Sequence, residues 1–162
     1  IFDEEYVDVA FDMTTLELSQ RHTAHGGVES QMFNIFQILP QGYDVAAIRI
    51  KKEGEMNFKY RLKSISTSGS QALCDALEIE VQYDRNAEYL GLLKNLTIDK
   101  TINTDEQDDW LMFISLNNDN AALKNQQCNF QLVFKTWGES AEDTTGFWDE
   151  AIVTNTVTTG TW

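Results

Sequence analysis

Apolar and polar residues alternate with a period of two in stretch after stretch of this chain, and no segment carries a long apolar pattern at helical spacing between capping residues. Such alternation puts successive side chains on opposite faces of an extended strand. Leu77, Ile79 and Val81 alternate with Glu78 and Glu80, and Phe130, Leu132 and Phe134 sit at every second position of "CNFQLVFKTW". Leu16 and Leu18, the run "WLMFISL" beginning at Trp110, residues 92–98 and residues 152–157 read as further strands. Turn signals separate them, among them "PQGYD", in which Pro40 presets φ and Gly42 supplies conformational freedom. Regularly spaced short strands predict an all-β fold, a β-sandwich of jelly-roll type, over a parallel α/β fold. At 162 residues the chain suits one domain around one core.

One pair of alternating runs adds charge to this pattern. Ile48 and Ile50 alternate with Arg49 and Lys51, a turn follows at Glu53-Gly54-Glu55, and Phe58, Tyr60 and Leu62 then alternate with Lys59, Arg61 and Lys63. The reading is a hairpin with one apolar face and one basic face made of Arg49, Lys51, Lys59, Arg61 and Lys63. The rest of the chain is acidic, with 26 Asp and Glu against 12 Lys and Arg and a net charge of −14. That balance argues against nucleic acid and anionic membranes as partners. Residues 1–18 hold six acids and no base. The expected partner of the basic face is therefore either the strand carrying Glu78 and Glu80 or an acidic segment from another copy. No apolar run reaches the roughly 18 residues that span a bilayer.

The chain starts on Ile1 with no charged region and apolar stretch before it, so a leader is expected to have been removed and the protein to be secreted. Cys74 and Cys128 lie 54 positions apart, each heading a strand-like run. Two buried thiols remain one reading; in an exported protein the expectation is a Cys74–Cys128 disulfide, contributing about 4 kcal/mol in the chain-entropy picture.

Catalytic chemistry finds little footing. His22 and His25 form "HTAH", without the neighbouring Glu and the helical geometry that let two imidazoles share a zinc ion. Acidic residues 105–109 and 139–143 lack the spacing of a calcium loop and read as solvated connections. No cofactor, metal or small-molecule substrate is expected, and the chain is not read as an enzyme. Trp110, Trp137, Trp148 and Trp162 offer stacking surfaces, which keeps a secreted adhesin or carbohydrate-binding sandwich as the alternative. Asn95-Leu96-Thr97 is a short N-glycosylation pattern.

The two ends of the chain share a phrase. Shifted by 146 positions without a gap, Phe2-Asp3-Glu4 falls on Trp148-Asp149-Glu150, Tyr6-Val7 on Ile152-Val153, and Phe11 on Val157. The opening, "IFDEEYVDVAFDMTTLELS", resembles the mature start of the TasA and camelysin-like family: an aromatic-acid phrase, a short extended stretch, then a Thr-Leu-x-Leu entry into the first core strand. "LPQGYDVAAIRIKKEGEMNFKYRLKSI" is similar to that family's turn followed by two strands, with Gln41 and Tyr43 departing from its Leu-x-Pro-Gly-Asp pattern.

The resemblance implies a secreted jelly-roll subunit that self-associates head to tail into an extracellular filament, of biofilm-matrix or pilus type, by donating an N-terminal strand to the next subunit. Residues 1–12 would then be the donor segment, with Ile1, Phe2, Tyr6, Val7, Val9 and Phe11 filling the acceptor groove, and residues 13–162 the sandwich. Trp148, Ile152, Val153 and Val157 of the closing phrase are a second strand-exchange candidate. The camelysin branch also implies a metallopeptidase, for which this chain offers no zinc-binding motif.

Overall fold

A computed structural model describes residues 6–12, 28–53, 59–101, 107–137 and 148–162. Among these residues ten strands form two five-stranded sheets. In chain order they are β1 (Tyr6–Asp12), β2 (Val28–Ile38), β3 (Tyr43–Glu53), β4 (Lys59–Gly69), β5 (Leu77–Tyr83), β6 (Asn86–Leu92), β7 (Thr97–Thr101), β8 (Gln107–Leu116), β9 (Gln127–Trp137) and β10 (Trp148–Thr159). The first sheet runs β1-β3-β8-β5-β6 and the second β2-β10-β9-β4-β7. The expected all-β sandwich is what forms.

Alternation explains the core. Leu77, Ile79 and Val81 of β5, Trp110, Met112, Ile114 and Leu116 of β8, Tyr60 and Leu62 of β4, and Phe130, Leu132 and Phe134 of β9 are all buried between the sheets. Burial of side chains of this size stabilises by roughly 1.5–3 kcal/mol each.

β3 and β4 do not pair as the expected hairpin, and Gly54, Glu55 and Phe58 lie outside the described residues. β3 belongs to the first sheet and β4 to the second, so the chain arches from one layer to the other. Ile48 and Ile50 face the core from one side while Tyr60 and Leu62 face it from the other. A hairpin would place both apolar faces on one side of one sheet, whereas the arch closes them on each other and buries both.

The reading of residues 92–98 as one strand is also corrected. β6 ends at Leu92, a 3-10 turn at Leu93–Asn95 drops Leu93 into the core, and β7 continues in the other sheet. Cys74 lies in a helix, α1 (Gln71–Ala76), rather than at the head of a strand. Ser70 caps that helix, its hydroxyl accepting from the Leu73 amide at 3.2 Å. α1 is brought down onto β9 by a tight passage at Gly69, whose φ is +98°, and whose Cβ, if present, would lie 2.2 Å from the Gln127 carbonyl oxygen. No side chain fits there. Cys74 and Cys128 are joined in a buried disulfide with a Cα separation of 5.3 Å, pinning α1 to the start of β9. The stretch after Asp119 forms a single 3-10 turn at Ala121–Leu123.

Candidate functional site: the parallel edge and the split charged faces

Two strand pairs among the described residues are parallel, and they involve the two strands that carry the shared phrase. β1 pairs with β3 in unbroken register from Tyr6↔Ala47 to Asp12↔Glu53. β10 pairs with β2, from Ile152↔Val28 to Thr159↔Ile38, with three register shifts along the way. The 146-position offset sets β1 on residues 152–158, wholly inside β10. The two copies of the phrase do not pair with each other: they lie in opposite sheets, with β1 packed near β10 across the sandwich.

Their surroundings differ. β1 is an edge strand with one neighbour, β3, and the other three pairings of its sheet are antiparallel. Taking β1 away leaves the four-stranded antiparallel sheet β3-β8-β5-β6 intact and exposes the backbone edge of β3. β10 is an interior strand, held by β9 over eleven antiparallel register pairs as well as by β2. Side chains fasten it further. Asn155 is buried; its Oδ1 accepts from the Phe33 amide at 2.9 Å and its Nδ2 donates to the Val153 carbonyl at 3.1 Å. The Thr158 hydroxyl accepts from the Gln37 amide at 3.0 Å and donates to the Ile35 carbonyl at 3.2 Å.

Of the donor-strand residues named from the sequence, Tyr6, Val7, Val9 and Phe11 lie on β1, opposite Ala47, Ile48, Ile50 and Lys52. Ile1 and Phe2 fall outside the described residues, as do His22, His25 and residues 139–143. Val153 and Val157 point into the core, and Ile152 and Trp148 lie on the same strand.

The five basic residues do not form one face, because the arch divides them. Arg49 stands on the outer side of the first sheet, where its guanidinium forks onto Asp109, Nε to Oδ1 at 2.7 Å and the terminal nitrogen to Oδ2 at 3.1 Å. Lys51 is on the same strand. Arg61 stands on the outer side of the second sheet and forks onto Asp99 at 2.6 and 2.9 Å, flanked on β4 by exposed Lys59 and Lys63. The hydrogen bonds from Arg61, with its charge and that of Lys59, hold the Asp99 carboxyl below its ordinary pKa against the opposing effect of burial. Glu78 and Glu80 lie on the outer side of the first sheet, so within one chain they do not meet the β4 cations.

Asp108 and Asp109 are strand residues rather than a solvated loop, and Asp108 is buried. Its carboxylate accepts from Tyr60 at 2.6 Å and from Tyr83 at 2.8 Å, while the Trp110 indole donates to the Tyr60 oxygen at 2.9 Å. Lys100 lies over the Tyr83 ring, 3.9 Å from its centroid, and donates to Glu88 at 3.1 Å. Tyr60 and Lys100 come from the second sheet and Asp108, Trp110 and Tyr83 from the first, so the cluster ties the layers together at the end where the chain arches. Burial, then the charge and hydrogen bond of Asp108, push the Tyr60 hydroxyl pKa well up, with the Trp110 bond opposing. The alternation Asp108, Trp110, Met112, Ile114 already marks Asp108 as an inward position, a signal that the acidity of "DEQDD" obscures. Trp110 is thus a core residue and Trp162 is half-buried against the core, its indole donating to the Asp119 carbonyl at 3.0 Å.

Among the described residues no three His, Cys, Asp or Glu side chains come together to hold a metal ion, and no helix is long and apolar enough to cross a membrane. No protein-family model, curated protein or solved structure matches this chain.

Proposed function

We propose that the protein is a secreted structural subunit that polymerises into an extracellular filament by exchanging its first strand between neighbouring copies. The observation that carries this reading is the parallel, uninterrupted seven-residue pairing of β1 on the open edge of β3. A strand held on one side only is exchanged at the cost of one ladder, and the same ladder re-forms with the β3 edge of the next chain. Residues 13–27 connect β1 to β2, and fifteen residues reach up to about 50 Å when extended, enough to carry β1 to a neighbour. A strand given forward and a slot filled from behind make a heterologous contact, which propagates instead of closing.

The same reasoning ranks the two ends. Donating β10 breaks two ladders and strands the buried Asn155 without its partners, so β1 is the exchanging strand. The resemblance of the opening residues to the TasA and camelysin-like family agrees with this assignment, and the buried disulfide suits an oxidising extracellular setting. Negative-stain electron microscopy of the full chain and of a chain lacking residues 1–11 tests the reading. Filaments from the first and none from the second are expected; filaments of equal length from both would refute it.

A further inference from the structure

The outer side of the first sheet carries a shallow trough of about 340 Å³, at the lower end of the roughly 300–1,000 Å³ of small-ligand sites. Register sets its floor in two rows. Phe113, Glu80 and Leu90 are successive partners across β8, β5 and β6, and Tyr43, Ser115 and Glu78 are successive partners across β3, β8 and β5. Each carboxylate is thus flanked by an uncharged side chain on the strand to either side, and the two stand about 7 Å apart along β5. Tyr43 and Leu90 are 68% and 70% exposed, and the rings of Tyr43 and Phe113 lie 6.3 Å apart, tilted by 51°.

Asp109, Asp99 and Glu88 each hold a cation, Arg49 at 2.7 Å, Arg61 at 2.6 Å and Lys100 at 3.1 Å. Among the described residues Glu78 and Glu80 hold none, although both are half-buried; Glu80 accepts from the Gln82 amide at 2.7 Å. Two half-buried anions beside two aromatic rings suit a ligand with ammonium groups on a body that has flat apolar faces. Such a ligand gains charge-assisted hydrogen bonds and stacking together. An extended basic peptide suits the trough less well. The backbones of β5 and β8 are already paired on both sides, so the peptide's own amides would find no ladder there. A sugar brings hydroxyls instead, and Ser115, Gln41 and Asn117 line the trough to meet them.

We propose that the trough binds an amino-sugar oligosaccharide, its ammonium groups donating to Glu78 and Glu80 and its ring faces stacked on Phe113 and Tyr43. Charge complementarity selects the amine-bearing glycan over neutral and acidic ones, and the aromatic rings select a sugar over a plain polycation. None of the four tryptophans lines this site. Tyr43 lies outside the Ala47–Glu53 span that β1 covers, so the trough stays open whether β1 is exchanged or not.

Calorimetric titration of the full chain tests it, with a glucosamine hexasaccharide, its fully N-acetylated counterpart and hexalysine as probes. Mildly acidic buffer of low salt keeps the amines charged and the glutamates ionised. The glucosamine chain is expected to bind roughly tenfold or more tighter than either of the others. Phe113→Ala leaves the net charge at −14 and is expected to weaken that binding by a similar factor. Glu78→Gln with Glu80→Gln moves the charge only from −14 to −12, since each change removes one negative charge, and is expected to abolish the preference for the amine. Unchanged melting temperatures would verify that the variants fold, and Tyr43→Ala, at an exposed position, replaces Phe113→Ala if that variant does not. A polycation drawn merely to an acidic protein would ignore both aromatic substitutions. Glucosamine binding that survives them, hexalysine or the acetylated chain binding as tightly, or no binding to the wild type would each overturn the proposal. None of these outcomes bears on β1 exchange, which the truncation of residues 1–11 tests separately.

Discussion

The Tyr60 hydroxyl of the second sheet donates to the Asp108 carboxylate of the first across 2.6 Å, joining the two layers at one end of the core. The bond requires a protonated Tyr60, because a phenolate would leave two anions facing each other out of water. In the folded chain the proton is kept at pH values where an unfolded tyrosine, with its ordinary pKa near 10, has lost it. Stability is therefore intact below about pH 10 and falls above it by about 1.4 kcal/mol per pH unit for this group. Tyr60→Phe should remove that alkaline slope while lowering stability at neutral pH by roughly 1–3 kcal/mol, since Asp108 loses a donor and Trp110 an acceptor. Urea titrations at pH 7 to 11 check both.

Reduction of the Cys74–Cys128 bridge frees a closed loop spanning 54 positions. The chain-entropy picture assigns such a loop about 4 kcal/mol. A melt under reducing conditions, or of the Cys74→Ser/Cys128→Ser protein, should shift down by many degrees. An unchanged melting temperature would mean that α1 is held to β9 by packing and by the Ser70 amide bond to Gln127 alone.

Asn155 determines how firmly β2 is held. Replacing it with Ala leaves the buried Phe33 amide without its acceptor, at a cost of roughly 1–3 kcal/mol. Hydrogen exchange at Phe33 should accelerate far more than at residues of β5 or β8, which share no bond with Asn155. Uniform acceleration across both sheets would instead mean that β2 opens only with the whole domain.

The strands were legible in the sequence because burial in a sandwich has the period of the strand itself. The same argument fails at the 48–63 segment, where a hairpin and an arch bury identical positions. Only the choice of partner separates them, and partners here are remote: Arg49 finds Asp109, sixty positions on, and Arg61 finds Asp99. Arg49, Lys59, Arg61 and Lys63 face outward as the alternation predicts, but Arg49 stands on the opposite sheet from the three on β4. α1 is six residues long, too short to show a helical period, and its one local sign was the capping Ser70. The repeated phrase falls on two strands, and each makes one parallel pairing, β1 with β3 and β10 with β2. Which of them lies on an edge depends on how the sheets are ordered, a property that no local pattern carries.

The exchange of β1 is tested most directly by cross-linking. Ala10 and Lys51 are register partners on β1 and β3, and opposed positions on neighbouring strands lie within the Cα range a disulfide needs. Chains with Ala10→Cys are mixed with chains of different mass bearing Lys51→Cys, allowed to assemble, oxidised and resolved by denaturing electrophoresis without reductant. Strand exchange predicts a cross-linked species whose mass is the sum of the two chains, and ladders of higher order when each chain carries both substitutions. Mixed chains that stay separate, with the doubly substituted chain closing only on itself, would show that β1 belongs to its own sandwich and would contradict the account.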